Sequence, residues 1–139
     1  MVKMNKSENL IFNTRDELLR IGLSKIVYFE SDGNYTHIMT VNKLNAVICM
    51  SLSEMECLLT GQLGEAAKQF ARVGKRFIIN KEYIYLINPL KQTLILSDYD
   101  HFAFKLGISK DALRKMKDDM RQAQLGAAKK TENEQETKR

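Results

Sequence analysis

The side chains able to do chemistry form two sparse sets and three denser ones. His37 and His101 are the only histidines and Cys49 and Cys57 the only cysteines in the 139 residues. Neither histidine has a Cys, Asp or Glu at metal-ligand spacing, and the cysteines do not form a CxxC pair, so no metal site is read from them. Cys49 falls in a strand-like run and Cys57 in a helix-like run, which predicts two buried, reduced thiols. The sequence has no GxSxG, no phosphate-binding loop and no dinucleotide fingerprint. Asp98 and Asp100 flank a turn and are expected to be solvated. No catalytic residue and no cofactor are expected.

The basic residues carry more information. Arg72, Lys75 and Arg76 lie within five positions around Gly74, a residue that lets a backbone approach a phosphate closely. Arginine and lysine supply the donors that phosphates and guanine edges accept. Lys110, Arg114, Lys117 and Arg121 are spaced 4, 3 and 4 apart, so on a helix they stack along one face. Lys110 in a first helical turn is also placed for an anion. The stretch Asp32 to His37 adds groups that can donate, accept and stack. Taken singly, each cluster is equally compatible with a solvated turn or helix face. All three are expected on turns or helix starts rather than inside strands.

Overall charge permits a nucleic-acid partner without requiring one. The formal net charge is +5 with pI near 9.2. Residues 1–104 carry 12 basic against 11 acidic side chains, and residues 105–139 carry 10 against 6. The excess is therefore concentrated at the C-terminal end. At 44% hydrophobic and 28% charged, the composition is that of a globular domain. The length suits one domain with one real core. No apolar run is long enough to span a membrane, and Met1 to Leu10 lacks the apolar core of a signal peptide, so a cytoplasmic location is expected.

These clusters must be positioned by elements that are mainly β. Leu10 to Phe12 is a first ordered piece, and Glu17 to Ile21 reads equally as strand or helix. Lys25 to Glu30 is rich in β-branched and aromatic residues and reads as a strand. Asp32-Gly33 is a hairpin signal, with Tyr35 to Val41 returning and Asn45 to Met50 as a third strand. Ser51 and Glu54 form a capping box before Leu52, Met55, Leu58 and Leu59 at helical spacing, and Gly61 is expected to end that helix. Gln62 to Gln69 is a polar connector. Ile84 to Ile87, Thr93 to Leu96 and the alternating Phe102, Phe104 and Leu106 read as strands. Ser109 opens a last helix that Gly126 is expected to close.

Three stretches, in order, resemble the LytTR family of bacterial DNA-binding domains. Ile26 to Thr36 (IVYFESDGNYT) is similar to the family's hydrophobic strand, acidic residue and N-Y-T turn. Phe70 to Asn80 (FARVGKRFIIN), with Tyr83-Ile84 after it, resembles the F-x-R-V motif and its terminal I-N. Ile108-Ser109-Lys110 resembles the closing S-R/K signature, and Ser51-Leu52 matches the opening of the middle helix. The match runs roughly from Leu10 to Arg121.

The resemblance implies several short antiparallel sheets with small connecting helices and a C-terminal helix. It implies sequence-specific contact with double-stranded DNA through loops and a helix start that enter successive grooves, as in a response-regulator output domain controlling transcription. Carried over by position, the first contact region falls at Asn34, Tyr35, Thr36 and His37. The second falls at Lys75 and Arg76, and the third at Lys110, with Arg114 on a phosphate; Lys117, on the same helix face by spacing, is expected to neutralise phosphates as well. Arg72 matches a recurrent family arginine, and Asn80 is expected to shape a turn. Gly74 stands where the family often has a histidine. Paired DNA repeats would engage a second copy.

The expected organisation is a flexible tail at 1–8, the binding domain at 9–125 and a disordered charged tail at 126–139. No receiver domain fits ahead of the match, so a stand-alone output domain is expected. A protein-interaction module that pairs with a full response regulator is the alternative. A helix-turn-helix over Leu52 to Phe70 is a poorer reading, because its second helix would carry only Lys68, opposed by Glu65.

Overall fold

The computed structural model describes residues 8–128. The expected tails, 1–8 and 126–139, lie largely outside these residues. In chain order the elements begin with β1 (Asn9–Asn13), β2 (Leu18–Gly22), β3 (Ile26–Asp32), β4 (Tyr35–Thr40) and β5 (Asn45–Ile48). Helix α1 (Leu52–Leu63) follows, then β6 (Phe70–Val73), β7 (Phe77–Asn80), β8 (Ile84–Asn88), β9 (Thr93–Ser97), β10 (Ala103–Gly107) and α2 (Lys110–Ala128). Short 3-10 turns occupy Leu23–Lys25, Gly64–Gln69 and Lys81–Tyr83. Every strand pairing is antiparallel.

A five-stranded sheet in the order β5-β4-β3-β7-β6 divides the molecule into two cores. Its central strand, β3, is buried at Ile26, Val27, Tyr28 and Phe29 in succession. A strand covered on both faces reads as a continuous apolar run. One face, with Phe29, Ile38 and Ile78, packs against α1 and the β1–β2 hairpin. The other face, with Tyr28, Phe77 and Ile79, packs against α2 and the three-stranded sheet β10-β9-β8.

Local chemistry sets the element ends. The Ser51 hydroxyl accepts from Glu54 N at 3.1 Å while Glu54 Oε1 accepts from Ser51 N at 2.9 Å, the reciprocal capping box expected of that sequence. Such a cap is worth about 1 kcal/mol. Gly61 does not end α1. The helix runs on to Leu63, and Gly64, at φ 57°, terminates it in a conformation that a side chain resists. The extra turn brings Gln62 onto β1, where its amide accepts from Ile11 N and donates to Ile11 O at 2.9 and 2.8 Å. The segment Gly64–Gln69 is a 3-10 turn, so no second α-helix follows α1 and the helix-turn-helix reading is set aside. Gly126 likewise lies within α2, which continues to Ala128.

Other expectations resolve on packing. Leu18–Gly22 is a strand, because its pairing with β1 buries Ile21 beside Leu10 and Phe12. Cys49 and Cys57 are both exposed rather than buried. Cys57 sits on the face of α1 opposite Met55 and Leu59, which take the core positions. Asp98 is not simply solvated. Its carboxylate accepts backbone N–H bonds from Asp100, His101 and Phe102 at 2.7–3.1 Å and faces the His101 ring at 2.9 Å. Partial burial pushes the Asp98 carboxyl up, but the His101 bonds and the other two N–H donors outweigh it and hold it well below the usual carboxylate range. Among the described residues, no helix is long and apolar enough to cross a membrane.

Candidate nucleic-acid interface

The first cluster sits on the β3–β4 hairpin. Gly33, at φ 64°, takes the first position of a two-residue turn, and Asn34 completes it. That turn fixes the register Asp32↔Tyr35, Ser31↔Thr36 and Glu30↔His37. Asn34 and Tyr35 are exposed. Tyr35, Thr36 and His37 lie within β4 rather than on the turn, so strand alternation divides them between the two faces. Thr36 falls on the face of Ile38 and Thr40 and is fully buried. Its hydroxyl donates to Met50 O at 2.7 Å. Thr36 is thereby a structural residue rather than a surface contact. His37 falls on the opposite face, that of Met39, with Nε2 2.9 Å from Asp32 Oδ2 and Nδ1 3.4 Å from Asn45 Oδ1. The Asp32 hydrogen bond raises the His37 pKa, against a smaller opposing effect of desolvation.

The second cluster is the β6–β7 connection. Gly74, at φ 65°, adopts the left-handed conformation that glycine tolerates, and Lys75 and Arg76 follow it in the turn. A histidine at this position would carry backbone strain. Arg72 lies within β6, contrary to the turn placement expected of it. Its guanidinium bonds Glu56 on α1 at 2.9 Å and Lys75 O at 3.4 Å, so it braces the turn. Arg76 pairs with Glu30, and its Cζ stands 5.2 Å from the Phe77 ring centroid. Asn80 shapes the far end of β7 as expected: its Oδ1 accepts from Glu82 N at 3.0 Å.

The third cluster is the start of α2. The Ser109 hydroxyl accepts from Ala112 N at 3.3 Å, the N-cap expected of it. Leu113 and Met116 bury the inner face in the second core, which turns Lys110, Arg114 and Lys117 to solvent. Among the described residues Lys75, Lys110, Arg114, Lys117 and Arg121 make no ion pair. Lys115, on the same helix, is tied to Asp119 at 3.3 Å.

Two contacts join the three clusters. Ser31 N donates to Arg76 O at 2.9 Å, which binds the hairpin to the β6–β7 turn. A Cβ built on Gly74 would lie 3.7 Å from the Ala112 Cβ, so the same turn abuts the first turn of α2. Elements more than 70 positions apart in sequence thus adjoin, with Lys110, Arg114 and Lys117 on the side of α2 away from Ala112. Glu30 and Asp32 were missing from the sequence-based site. The signal for them was present: a two-residue turn after Asp32 places Glu30 opposite His37 on one face.

An antiparallel β scaffold presenting polar groups from a hairpin and exposed cations from a tight turn and a helix start has the make-up of a small DNA-binding domain. The family description "LytTr DNA-binding domain" matches residues 16–121, and the chain belongs to that family. A solved LytTr DNA-binding domain from Bacillus cereus has the same fold, with 23% identity, a TM-score of 0.55 and coverage of 79% of this chain and 94% of that one. No curated protein matches the sequence. The chain carries a DNA-binding domain over residues 16–121.

Proposed function

We propose that the chain binds double-stranded DNA at specific sites, with the β3–β4 hairpin, the β6–β7 turn and the start of α2 entering successive grooves on one face of the duplex. The observation that carries this reading is the adjacency of the three elements, hairpin to turn through Ser31 and Arg76 and turn to α2 through Gly74 and Ala112. Lys75 and Lys110 flank the contact between turn and helix in sequence, and neither has an acidic partner among the described residues. Arg114 and Lys117 continue along the exposed face of α2 and suit phosphates, which position a protein without reading sequence. Asn34, Tyr35 and His37 project from the hairpin, and Arg76 lies between hairpin and turn. The binding unit is the stretch 9–125, extended by the last turn of α2, and paired repeats would seat two copies.

Selection from a random duplex library, followed by anisotropy titration of the enriched and scrambled duplexes, tests the reading. Binding should be detectable at low salt and tighter on the enriched sequence. Absence of binding at low salt, or equal affinity for every duplex, would sink it. Stoichiometry on single and paired sites tests the second copy.

A second reading, a protein-interaction module, draws on a separate patch. Tyr85 and Tyr99 stack edge to face at 5.6 Å while 55% and 78% exposed, with Leu86 exposed beside Tyr85 on β8. Capture of a response regulator in the absence of DNA, together with a failed DNA titration, would favour it.

A further inference from the structure

A surface built only to attract phosphates would not carry carboxylates, yet two lie in the middle of this one. Glu30 occupies the central strand, with His37 opposite it on β4 and Phe77 opposite it on β7. Asp32, two residues on, shares that face. Each carboxylate holds one cation: Glu30 pairs with Arg76, and Asp32 stands 2.9 Å from His37. Together with Asn45 these four side chains line a hollow of about 190 Å3 on the face of the sheet that carries Tyr28 and Met39.

The arrangement constrains the arginine in a particular way. A guanidinium has five N–H donors in a planar fork. The Glu30 carboxylate bonds one terminal nitrogen, and the Phe77 ring lies against the group. An arginine on a free stem loses side-chain entropy when it is fixed on a target, whereas a braced fork is already oriented. The donors away from Glu30 remain for a planar acceptor pair such as guanine O6 and N7. Among the described residues Lys75, Lys110, Arg114 and Lys117 have no such brace, and as unpaired cations there they suit phosphate oxygens.

We propose that Glu30 is a positioning residue for sequence recognition: it holds the Arg76 guanidinium against Phe77 so that Arg76 reads a base edge, and Asp32 orients His37 in the same manner. This rests on the interface proposed above. Its cost is repulsion of the backbone, and its gain is discrimination, since a repelled carboxylate penalises every duplex while an oriented fork rewards one.

The test compares the full chain with Glu30→Gln, Arg76→Ala, Arg76→Lys and the Glu30→Gln/Arg76→Ala double variant on the enriched and scrambled duplexes. Glu30→Gln should tighten the scrambled duplex a few-fold and lower the preference ratio by about tenfold. Arg76→Ala should lower the ratio as far, and the double variant should not differ from it. Arg76→Lys keeps the charge but loses the fork, so it should lose preference while retaining the salt dependence. If Glu30→Gln tightens both duplexes equally, Glu30 is only an electrostatic guard and the proposal is overturned while the interface stands. Should Glu30→Gln fail to fold, full retention of preference by Arg76→Lys overturns it instead. If Arg76→Ala leaves the ratio unchanged, Arg76 is not a reader, and its place in the interface falls together with the proposal.

Discussion

At the scale of residues, the polar side chains that matter most are those with geometry imposed on them. Asn80 is fully buried, donates to Ile26 O at 2.8 Å, and accepts from Glu82 N at 3.0 Å and from Gln69 Nε2 at 3.1 Å. It ties β7 to β3 and to the flanking 3-10 turns. Asn80→Ala would strand those partners in the interior, and a loss of about 2–4 kcal/mol is expected in urea unfolding. A loss below half a kcal/mol would contradict that role. Asp98 and His101 give a pH dependence. Their mutual hydrogen bond and charge raise the His101 pKa, and the Asp98 carboxyl is depressed. The Asp98 contribution is present above the unfolded carboxylate pKa and lost as pH falls through the folded one. The His101 contribution is full below its unfolded pKa and lost as pH rises through the raised folded one. Both groups are charged between roughly pH 4 and pH 6.5, where the pair stabilises most. Relative to wild type, His101→Gln should lower the urea midpoint in that window and converge with it as pH rises through the raised His101 pKa. A pH-independent difference would argue against the pairing.

At the scale of elements, the interface depends on how α2 is seated. Leu113 is fully buried and Met116 nearly so, both in the core that also holds Val73, at the end of β6, and Phe77. The helix start and the Gly74 turn are thus positioned by one apolar contact. Leu113→Ala should cost about 2–5 kcal/mol by cavity formation. Where the variant remains folded, DNA affinity should also fall, because Lys110 and Lys75 no longer keep a fixed separation. Calorimetry and anisotropy on one preparation check both effects. Destabilisation with full DNA affinity would show that α2 need not be rigidly seated.

At the scale of the whole molecule, the net charge of +5 conceals a local arrangement. Acidic side chains neutralise Lys68, Arg72, Arg76 and Lys115, while Lys75, Lys110, Arg114 and Lys117 are left without ion pairs among the described residues. Each phosphate contact adds about 0.9 to the slope of log affinity against log salt on duplex DNA. Replacing Arg114 or Lys117 by Ala should therefore reduce the slope by about 1 and weaken all sequences alike. Arg72→Ala should act through stability instead, since its guanidinium is bound to Glu56 and to the Lys75 carbonyl. An unchanged slope for both Arg114→Ala and Lys117→Ala would remove the outer face of α2 from the interface.

The sequence by itself determined the elements and the family, because those depend on local periods and short motifs. The run from Ile26 to Glu30, the Ser51–Glu54 box and the Ser109 cap all act within a few residues and appear where their chemistry requires, while the hairpin turn falls at Gly33-Asn34, one residue past the Asp32-Gly33 signal. Even the burial of Thr36 was legible, since it alternates with Ile38 and Thr40. Other outcomes depended on partners distant in the chain. Leu18 to Gly22 became a strand because β1 lay beside it, α1 ran past Gly61 because Gln62 meets Ile11, and Asp98 gathered donors from a turn that folds back on it. Most of all, the hairpin, the Gly74 turn and the α2 start came to adjoin only through the Ser31–Arg76 hydrogen bond and the packing of Gly74 on Ala112. The same closure placed Glu30 on Arg76, 46 residues away. Spacing along the chain carries no information about such contacts, since they are fixed by how the two cores pack on either side of one sheet.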